Sequence, residues 1–316
     1  MKKEGSSDQP FSPSIMIQIQ GPMAALVTTR RPTGHTIDIG PALDVLDFVT
    51  GHGATGIALL GATGEFVHFD FDERMRFAHM AIRRCRVPLL VNVSHSTLEG
   101  ALTLARDAAG SGAAGLLLMP PYFFRYQQSE LREFYLRFAD ASAGLPPTYL
   151  YNLPFFTTGL EPETACEVLG LGGFAGIKDS SGNLEMFAAL AEQRQKTPFT
   201  LLIGNDSILA ARRQASDGVI SGCACAVPDL IVGLDRAVTT GNTEGVARLG
   251  KRLAEFIAKI DPFPTPLGVQ EALALRGFPA VVAPTRLGAA LQAHREVFRV
   301  WFPSWLPEMQ ADLKGI

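Results

Sequence analysis

The stretch Gly-Gly-Phe-Ala-Gly-Ile-Lys-Asp-Ser-Ser-Gly-Asn, residues 172–183, places a lone lysine at the end of a short apolar run. Glycine precedes the run and a Ser-Ser-Gly-Asn turn follows it, a pattern typical of a fully buried parallel strand. Ser181 or Asn183 is suited to cap a helix that begins near Leu184. The stretch therefore predicts strand, turn and helix, with Lys178 at the carboxyl end of the strand.

Lys178 is the first candidate for chemistry. An ammonium group at the end of a buried strand is poorly solvated, which favours the neutral amine that can attack a carbonyl carbon and form a Schiff base. The alternative is a solvated lysine that pairs with the neighbouring Asp179. The stretch alone leaves both interpretations open.

Apolar runs of this kind recur eight times along the chain, with helical patterns such as Ala42-Val45-Leu46-Val49 between them. The runs end near Val27, Leu60, Val93, Met119, Tyr151, Lys178, Ile203 and Ile220. Eight alternations of strand and helix predict an α/β protein, a (β/α)8 TIM barrel, and the spacing fits a compact barrel of roughly 200 to 250 residues. Such barrels carry their active sites at the carboxyl ends of the strands.

The barrel is one of three parts that the sequence predicts. These are a loose N-terminal tail at residues 1–20, the barrel at 21–228 and a C-terminal helical extension at 229–316. In the extension, apolar residues at helical spacing run from Val246 to Ile260, three prolines follow, and helical patterns resume at 269–275 and 287–301. Because no low-complexity linker precedes the extension, we expect it to pack on the barrel or on a neighbouring subunit.

Composition limits the classes of function. The chain has 316 residues, of which 47% are hydrophobic and 19% charged, as in ordinary globular proteins, and its net charge of -3 gives no electrostatic case for binding nucleic acid. No apolar run approaches the roughly 18 residues of a membrane span, and the first residues lack the apolar core of a signal peptide. We expect a cytoplasmic protein that binds neither nucleic acid nor membrane.

Cysteine and histidine spacing gives no metal site. The only close pair of cysteines, Cys223 and Cys225, is expected to share one face of a strand, and two such ligands alone do not bind a metal. The six histidines are scattered, and of these only His95 is a candidate for lining a site. We therefore expect that the protein needs neither a metal nor another cofactor.

A tight turn, Gly61-Ala62-Thr63-Gly64-Glu65-Phe66, follows the second predicted strand. Its backbone N–H groups could form a nest for an anion, for which a carboxylate is the expected guest, and Thr63 adds a hydroxyl at the same place. The alternative is a plain connection between strand and helix.

The fifth predicted strand carries Tyr151 to its carboxyl end, just before Asn-Leu-Pro. Tyr151 should stand beside Lys178 on the next strand, where a phenol close to an ammonium group can pass protons to and from a carbinolamine or a substrate hydroxyl. A tyrosine at a strand end is otherwise bulk suited to an interface. The placement on adjacent strands favours the role in proton transfer.

Four motifs occur in order over most of residues 23–240: Gly-Ala-Thr-Gly-Glu, Tyr-Asn-Leu-Pro, Gly-Ile-Lys-Asp-Ser-Ser-Gly and Gly-Val-Ile-Ser-Gly. Together they resemble the signature turns of the dihydrodipicolinate synthase / N-acetylneuraminate lyase family. The resemblance implies a (β/α)8 barrel with a helical tail, usually assembled as a tetramer from two dimers. It also implies a Schiff base between a 2-oxo acid and the lysine of the sixth strand.

The resemblance gives three residues catalytic roles. Lys178 would be the Schiff-base lysine, and Tyr151 would be the phenol that transfers protons. Thr63, together with the backbone around Ala62, would hold the carboxylate of the 2-oxo acid.

Other positions would contact the substrate. Ile220 matches the position whose backbone borders the pyruvyl group, and residues 204–207 match the loop that meets the distal part of the substrate in the lyases. The candidate substrate-binding residues are Gly61, Ala62, Gly64, Gly204, Asp206, Ile220 and Gly222.

Three positions depart from the pattern of the synthases. Ala62 stands where the synthases have the first of two consecutive hydroxyl residues. Phe123 stands where a relay tyrosine lent by a neighbouring subunit is expected, with Tyr122 one place early. Phe156 stands at the position of the arginine that grips the carboxylate of aspartate semialdehyde. All three departures weaken the case for synthase activity.

The predicted mouth of the barrel is rich in phenylalanine. An apolar wall there would suit a less polar aldehyde than aspartate semialdehyde or a sugar, but we favour packing between subunits, since aromatic residues are common at oligomer interfaces. The four residues are Phe123, Phe124, Phe155 and Phe156. Two polar pairs, Arg30-Arg31 and Ser94-His95, follow the first and third predicted strands and are possible substrate contacts.

The favoured function is that of a Schiff-base-forming lyase or aldolase, or a dehydratase, that acts on a 2-oxo acid such as pyruvate through Lys178. Its partners would be the 2-oxo acid and an aldehyde or their adduct, in a homotetramer or homodimer. The alternative within the family is 4-hydroxy-tetrahydrodipicolinate (dihydrodipicolinate) synthase. An alternative of another class is a non-catalytic 2-oxo acid binding protein, against which the intact Lys178 and Tyr151 argue.

Overall fold

Eight short parallel strands form a closed barrel in the computed structural model, which describes residues 19–31 and 36–316. The strands are β1 Met23–Ala25, β2 Gly56–Leu59, β3 Leu89–Asn92, β4 Gly115–Leu118, β5 Thr148–Asn152, β6 Gly176–Asp179, β7 Thr200–Ile203 and β8 Gly218–Ser221. They follow one another around the barrel in chain order, and β1 closes it by pairing with β8. Because both faces of the sheet are covered, the strands have continuous apolar runs rather than an alternating pattern.

Helices connect the strands and continue beyond the last one. They are α1 Ile39–Gly51, α2 Phe71–Arg84, α3 Leu98–Ser111, α4 Gln128–Ala141, α5 Pro162–Gly170, α6 Leu184–Lys196, α7 Leu209–Arg212, α8 Pro228–Thr239, α9 Thr243–Ile260, α10 Leu267–Leu275 and α11 Ala289–Asp312. The helix α7 is a single turn, because little chain separates β7 from β8. The predicted (β/α)8 barrel with a C-terminal helical extension is confirmed.

The helix after the lysine strand begins as the sequence predicts. The side chain of Asn183 accepts hydrogen bonds from the backbone N–H groups of Glu185 and Met186, at 2.8 and 3.2 Å. Ser181 instead donates its hydroxyl to Asp179, at 2.8 Å. Asn183 is therefore the cap, and Ser181 braces the turn between β6 and α6.

The last helix is longer than the sequence predicts. It continues to Asp312 through Pro303 and Pro307, where the helical pattern was expected to end near Trp301. An interior proline costs a helix about 3 kcal/mol or more. Burial of Phe302, Trp305 and Met309, at about 1.5 to 3 kcal/mol for each large apolar side chain, offsets that cost.

Two predicted boundaries, the end of the N-terminal tail and the end of the barrel, stay predictions. The predicted tail, residues 1–20, lies outside the described residues except for Ile19 and Gln20. The division at residue 228 stays a prediction; α8 begins there, and α9 packs against α8. None of the helices in the described ranges has the length and apolar character that a membrane crossing needs.

Candidate active site

Lys178 and Tyr151 are direct neighbours on β6 and β5, where their Cα atoms form a register pair. Both residues are only 3% exposed, and the Lys178 Nζ atom lies 4.0 Å from the centroid of the Tyr151 ring. Adjacent strands lie about 4.8 Å apart, so the sheet itself sets this separation. The predicted juxtaposition of the two side chains is confirmed; their chemical roles stay predictions.

Asp179 does not pair with Lys178. Its Oδ1 atom accepts from the Asn152 side chain at 2.8 Å and from the Ser181 N–H at 3.2 Å. Successive strand residues face opposite sides of a sheet, which separates the carboxylate from the lysine. Burial raises the pKa of Asp179 above its ordinary value. Among the described residues no carboxylate forms a salt bridge with Lys178, so the alternative of a lysine paired with Asp179 is wrong.

The turn at residues 61–64 follows β2 between two residues with left-handed backbone, Leu60 at φ 58° and Glu65 at φ 51°. Gly64 has to be glycine, because a Cβ atom there would lie 2.9 Å from the Leu60 Cα atom. Within the described part of the chain, the N–H groups of Ala62, Thr63 and Gly64 donate no hydrogen bond. The turn therefore presents donors and one hydroxyl, as an anion nest requires.

Three glycines show how closely the loops approach one another. A Cβ atom at Gly61 would lie 3.8 Å from the Tyr151 hydroxyl oxygen, and one at Gly222 would lie 3.3 Å from the Thr63 Oγ1 atom. A Cβ atom at Gly204 would lie 3.0 Å from the Lys178 Cε atom. The loops after β2, β7 and β8 thus converge on the lysine and the tyrosine.

The remaining predicted site residues lie on the same side. The Cys223 N–H donates to the Asp206 Oδ2 atom at 3.1 Å, and that atom would be 4.0 Å from a Cβ atom at Gly222. Ile220 lies on β8, opposite Met23 of β1, with its side chain buried. The structure therefore brings the predicted set together at the carboxyl ends of the strands.

Two polar groups at this end of the barrel lack a hydrogen-bond partner among the described residues: one on Ser180, which the sequence did not single out, and one on Asp206, which it did. The Ser180 hydroxyl is buried without a hydrogen-bond partner among the described residues, and a Cβ atom at Gly204 would lie 2.0 Å from it. The Asp206 Oδ1 atom is likewise buried without a partner. A serine in a strand-to-helix turn usually indicates a cap, so the sequence carried no signal for Ser180. Buried groups of this kind are normally satisfied, so both are candidates for ligand contacts.

The phenylalanines expected at the mouth are exposed. The exposed fraction is 88% for Phe123 and 58% for Phe156, and Phe124 and Phe155 are exposed as well. Phe123 has a left-handed backbone, φ 84°, and its ring meets that of Phe124 edge to face at 5.0 Å. The neighbouring Tyr122 is half-buried, with its ring edge-on to Phe66 at 5.5 Å.

The two polar pairs named from the sequence have structural partners. His95 stacks on Phe71, and its Nδ1 atom lies 2.9 Å from the Thr97 hydroxyl. Partial burial lowers the pKa of His95. Ser94 donates its hydroxyl to Asn92 at 2.6 Å, and Arg30 donates to Glu65 at 2.9 Å. These contacts hold the loops, while the buried Arg30 Nε atom has no hydrogen-bond partner among the described residues. A role of the two pairs in contacting the substrate stays a prediction.

A cavity of about 860 Å³ lies at the opposite end of the barrel, lined by residues that precede strands, such as Pro146, Phe174 and Phe199. It is therefore remote from Lys178.

In the described ranges no three His, Cys, Asp or Glu side chains are placed to hold a metal ion, and the expectation that none is needed stays a prediction.

Cys223 and Cys225 do not lie on a strand. They lie in a short 3-10 turn after β8 rather than on a strand, so the expectation of a shared strand face is wrong. Cys225 donates its thiol to the Ala25 carbonyl, at 3.0 Å, and burial raises its pKa to about 12. The thiol is thus a packing group that ties β8 to β1.

The chain is similar in sequence to known proteins. The chain is 29% identical to a 4-hydroxy-tetrahydrodipicolinate synthase of Methanosphaerula palustris, over 82% of this chain and 89% of that protein. It is 32% identical to a probable 2-dehydro-3-deoxy-D-pentonate aldolase of Escherichia coli, over 71% of this chain and 76% of that protein.

Solved structures agree on the fold. A prophage protein of the dihydrodipicolinic acid synthase family from Escherichia coli, solved in complex with pyruvate, superimposes with a TM-score of 0.82 at 24% identity, covering 90% of this chain and 98% of that one. The sequence matches the model of the dihydrodipicolinate synthetase family over residues 18–296. The chain therefore belongs to the dihydrodipicolinate synthetase family and is an enzyme of that family.

Proposed function

We propose that this enzyme is a class I aldolase or lyase that binds a 2-oxo acid such as pyruvate as an imine of Lys178. One observation carries the proposal: a buried lysine with no carboxylate partner among the described residues lies 4.0 Å from the ring centroid of a buried tyrosine at the mouth of the barrel. A lysine in such surroundings is suited to nucleophilic attack on a carbonyl carbon. The anion nest at residues 61–64 supplies a place for the adjoining carboxylate.

The chemistry follows from these positions. The neutral amine of Lys178 adds to C2 of the 2-oxo acid, and the resulting carbinolamine loses water to give a protonated imine. The imine withdraws electrons, so a proton can leave C3 and the enamine can attack an aldehyde carbon; the reverse path cleaves the carbon–carbon bond. Tyr151 transfers the protons at the hydroxyl groups, and hydrolysis of the imine restores Lys178.

Trapping of the imine tests the proposal. The protein is incubated with pyruvate and borohydride, and its mass and labelled peptide are measured. We expect one adduct, located on Lys178 and absent from Lys178→Ala. Lys259→Ala is the matched control, because Lys259 also lies near an aromatic ring, 5.6 Å from the centroid of Trp301. An unlabelled protein, or an adduct that persists in Lys178→Ala, contradicts the proposal.

For the second substrate, two buried polar groups favour a hydroxylated aldehyde. The Ser180 hydroxyl and the Asp206 Oδ1 atom have no hydrogen-bond partner among the described residues, and substrate hydroxyls would satisfy them. The Asp206 carboxylate also disfavours a second substrate that carries its own carboxylate. The similar Escherichia coli protein, a probable 2-dehydro-3-deoxy-D-pentonate aldolase, is named for a hydroxylated substrate.

A pair of matched aldehydes tests the second substrate. With pyruvate present, we expect glycolaldehyde to react at least about tenfold faster than acetaldehyde, which lacks only the hydroxyl. Asp206→Asn should reduce that preference. A preference for acetaldehyde or longer apolar aldehydes would instead favour an apolar wall formed by Phe123, Phe124, Phe155 and Phe156.

The exposed phenylalanines also support an oligomer. Phe123 is 88% exposed although large apolar side chains are normally covered, and clustered aromatic residues are typical of subunit interfaces. We expect a homodimer or homotetramer, measured by light scattering after size-exclusion chromatography. Phe123→Asp with Phe124→Asp should shift the mass towards the monomer. Val300→Asp, at another exposed apolar residue, is the control and should leave the mass unchanged.

A further inference from the structure

The anion nest at residues 61–64 is flanked by two residues whose backbone conformation is unfavourable without support from their surroundings. Leu60 and Glu65, which flank it, are both non-glycine residues with left-handed backbone. Such conformations cost free energy and persist only where the surroundings hold them. For Leu60, the holding contact is the Asn92 side chain, which donates to the Leu60 carbonyl at 2.8 Å.

For Glu65, the holding contacts come from two distant parts of the chain. Arg30, just after β1, donates to its Oε1 atom at 2.9 Å, and Gln270, on α10 of the extension, donates to its Oε2 atom at 2.8 Å. The Glu65 N–H donates to the Ala62 carbonyl at 3.0 Å, which closes the turn. Both carboxylate oxygens are thus engaged in a side chain that is buried.

We infer that Glu65 is a positioning residue for the substrate carboxylate, and that α10 controls the shape of the nest through Gln270. Glu65 cannot bind that carboxylate itself, because its own negative charge would repel it and its oxygens are already bonded. It acts by fixing the turn in which the N–H groups and the Thr63 hydroxyl converge. The inference rests on the proposed function, since it assigns the nest to the 2-oxo acid.

The nearby His68 belongs to the same network. Its Nδ1 atom lies 2.6 Å from the Arg30 Nη2 atom and 3.3 Å from the Glu65 Oε1 atom. The Arg30 guanidinium and the His68 ring therefore both lie against the same oxygen of Glu65.

The test separates carboxylate binding from imine formation. Borohydride labelling of Lys178 is measured with pyruvate and with acetone, which can form the imine but has no carboxylate. For Gln270→Ala and Glu65→Gln we expect the half-saturating pyruvate concentration to rise about 5- to 10-fold. Maximal labelling by pyruvate and labelling by acetone should stay unchanged. Gln292→Ala is the control, because Gln292 also donates from its side chain, but to the Leu287 carbonyl, outside the network of Glu65.

The outcomes are distinct. Loss of labelling by pyruvate and acetone alike would indicate general damage to the fold and would overturn the inference. A half-saturating pyruvate concentration within twofold of the wild-type value in both variants would also overturn it. Gln270→Ala keeps the test valid if Glu65→Gln fails to fold, since it leaves the Arg30–Glu65 pair in place. A wild-type protein that pyruvate does not label overturns the proposed function and this inference with it.

Discussion

Lys178 and Tyr151 face each other across one gap between strands, and each is nearly sealed from water. Proton transfer by a positioned side chain contributes typically 10²- to 10⁴-fold to a rate. The Lys178 Nζ atom lies 4.0 Å from the centroid of the ring that carries the phenol. The amine can still add to a carbonyl without the phenol. Loss of the hydroxyl should therefore separate imine formation from turnover.

We predict that Tyr151→Phe keeps the fold and some pyruvate adduct but loses turnover by about 10²-fold or more, because the phenol that transfers protons is gone. The measurement is steady-state turnover beside borohydride labelling. Turnover within a few-fold of wild type would show that another group, such as Tyr122 or water, carries the proton.

Gly204 lies close to the side chains of Lys178 and Ser180. A Cβ atom there would lie 3.0 Å from the Lys178 Cε and Cγ atoms and 2.0 Å from the Ser180 hydroxyl. Gly204→Ala should therefore displace the lysine and slow adduct formation by at least about tenfold, since a misplacement of about 1 Å can cost 10²-fold. Gly110→Ala is the control, because nothing lies within 4 Å of a Cβ atom there. Equal labelling rates in the two variants would refute the prediction.

At the scale of the element, the turn after β6 links the lysine to its helix. Asn183 caps α6 through two backbone N–H groups, whereas Glu161 stands at the same position of α5 without a side-chain bond. The two positions form a natural comparison of a bonded and an unbonded cap.

We predict that Asn183→Ala lowers the free energy of unfolding by about 1 kcal/mol, the typical value for a lost cap, and that Glu161→Ala changes it much less. Chemical denaturation with urea measures both. A smaller loss in Asn183→Ala than in Glu161→Ala would show that the cap of α6 contributes little.

The elements could be predicted because each strand leaves a local mark. An apolar run marked each strand in the sequence, and a turn followed it. Because consecutive strands of such a barrel are neighbours, Tyr151 and Lys178 could be placed together. The end of α11 could not, because the burial that offsets Pro303 and Pro307 depends on packing against α9, where Phe256 stacks on Trp305.

The contacts within the site were predictable only in part. The tight turn at residues 61–64 followed from its glycines, and its role as an anion nest stays a prediction. The bond from Gln270 to Glu65 joins residues 205 positions apart, and no local sequence pattern indicates such a bond. Ser180 was missed for a similar reason: its lack of a partner is a property of the packed loops around Gly204, not of the turn that contains it.

At the scale of the whole molecule, the departures from the synthase pattern act together. Phe156 stands where the arginine that grips aspartate semialdehyde is expected, and Ala62 and Phe123 each lack a relay hydroxyl. Loss of a charge-assisted contact, about 1.5 to 3 kcal/mol, weakens binding by about 10- to 150-fold. Loss of proton relays multiplies that deficit.

We predict that the purified protein makes dihydrodipicolinate from pyruvate and aspartate semialdehyde poorly or not at all. A coupled reductase assay measures the reaction, with pyruvate labelling of the same sample as proof of a competent site. A kcat/KM above roughly 10⁴ M⁻¹s⁻¹, within the ordinary range for an enzyme on its own substrate, would restore the synthase as the favoured function.

The pairing of Tyr151 with Lys178 within the sheet has a consequence for how this enzyme can change over generations. The two side chains are placed by the barrel, whereas Thr63, Asp206 and the exposed phenylalanines stand on separate loops. Loop mutations that do not touch Lys178, unlike one at Gly204, leave the spacing of the pair unchanged, so selection for a new aldehyde can proceed without rebuilding the nucleophile. Laboratory evolution towards such an aldehyde should collect its substitutions in the loops after β4, β5 and β7 and spare the strands β5 and β6.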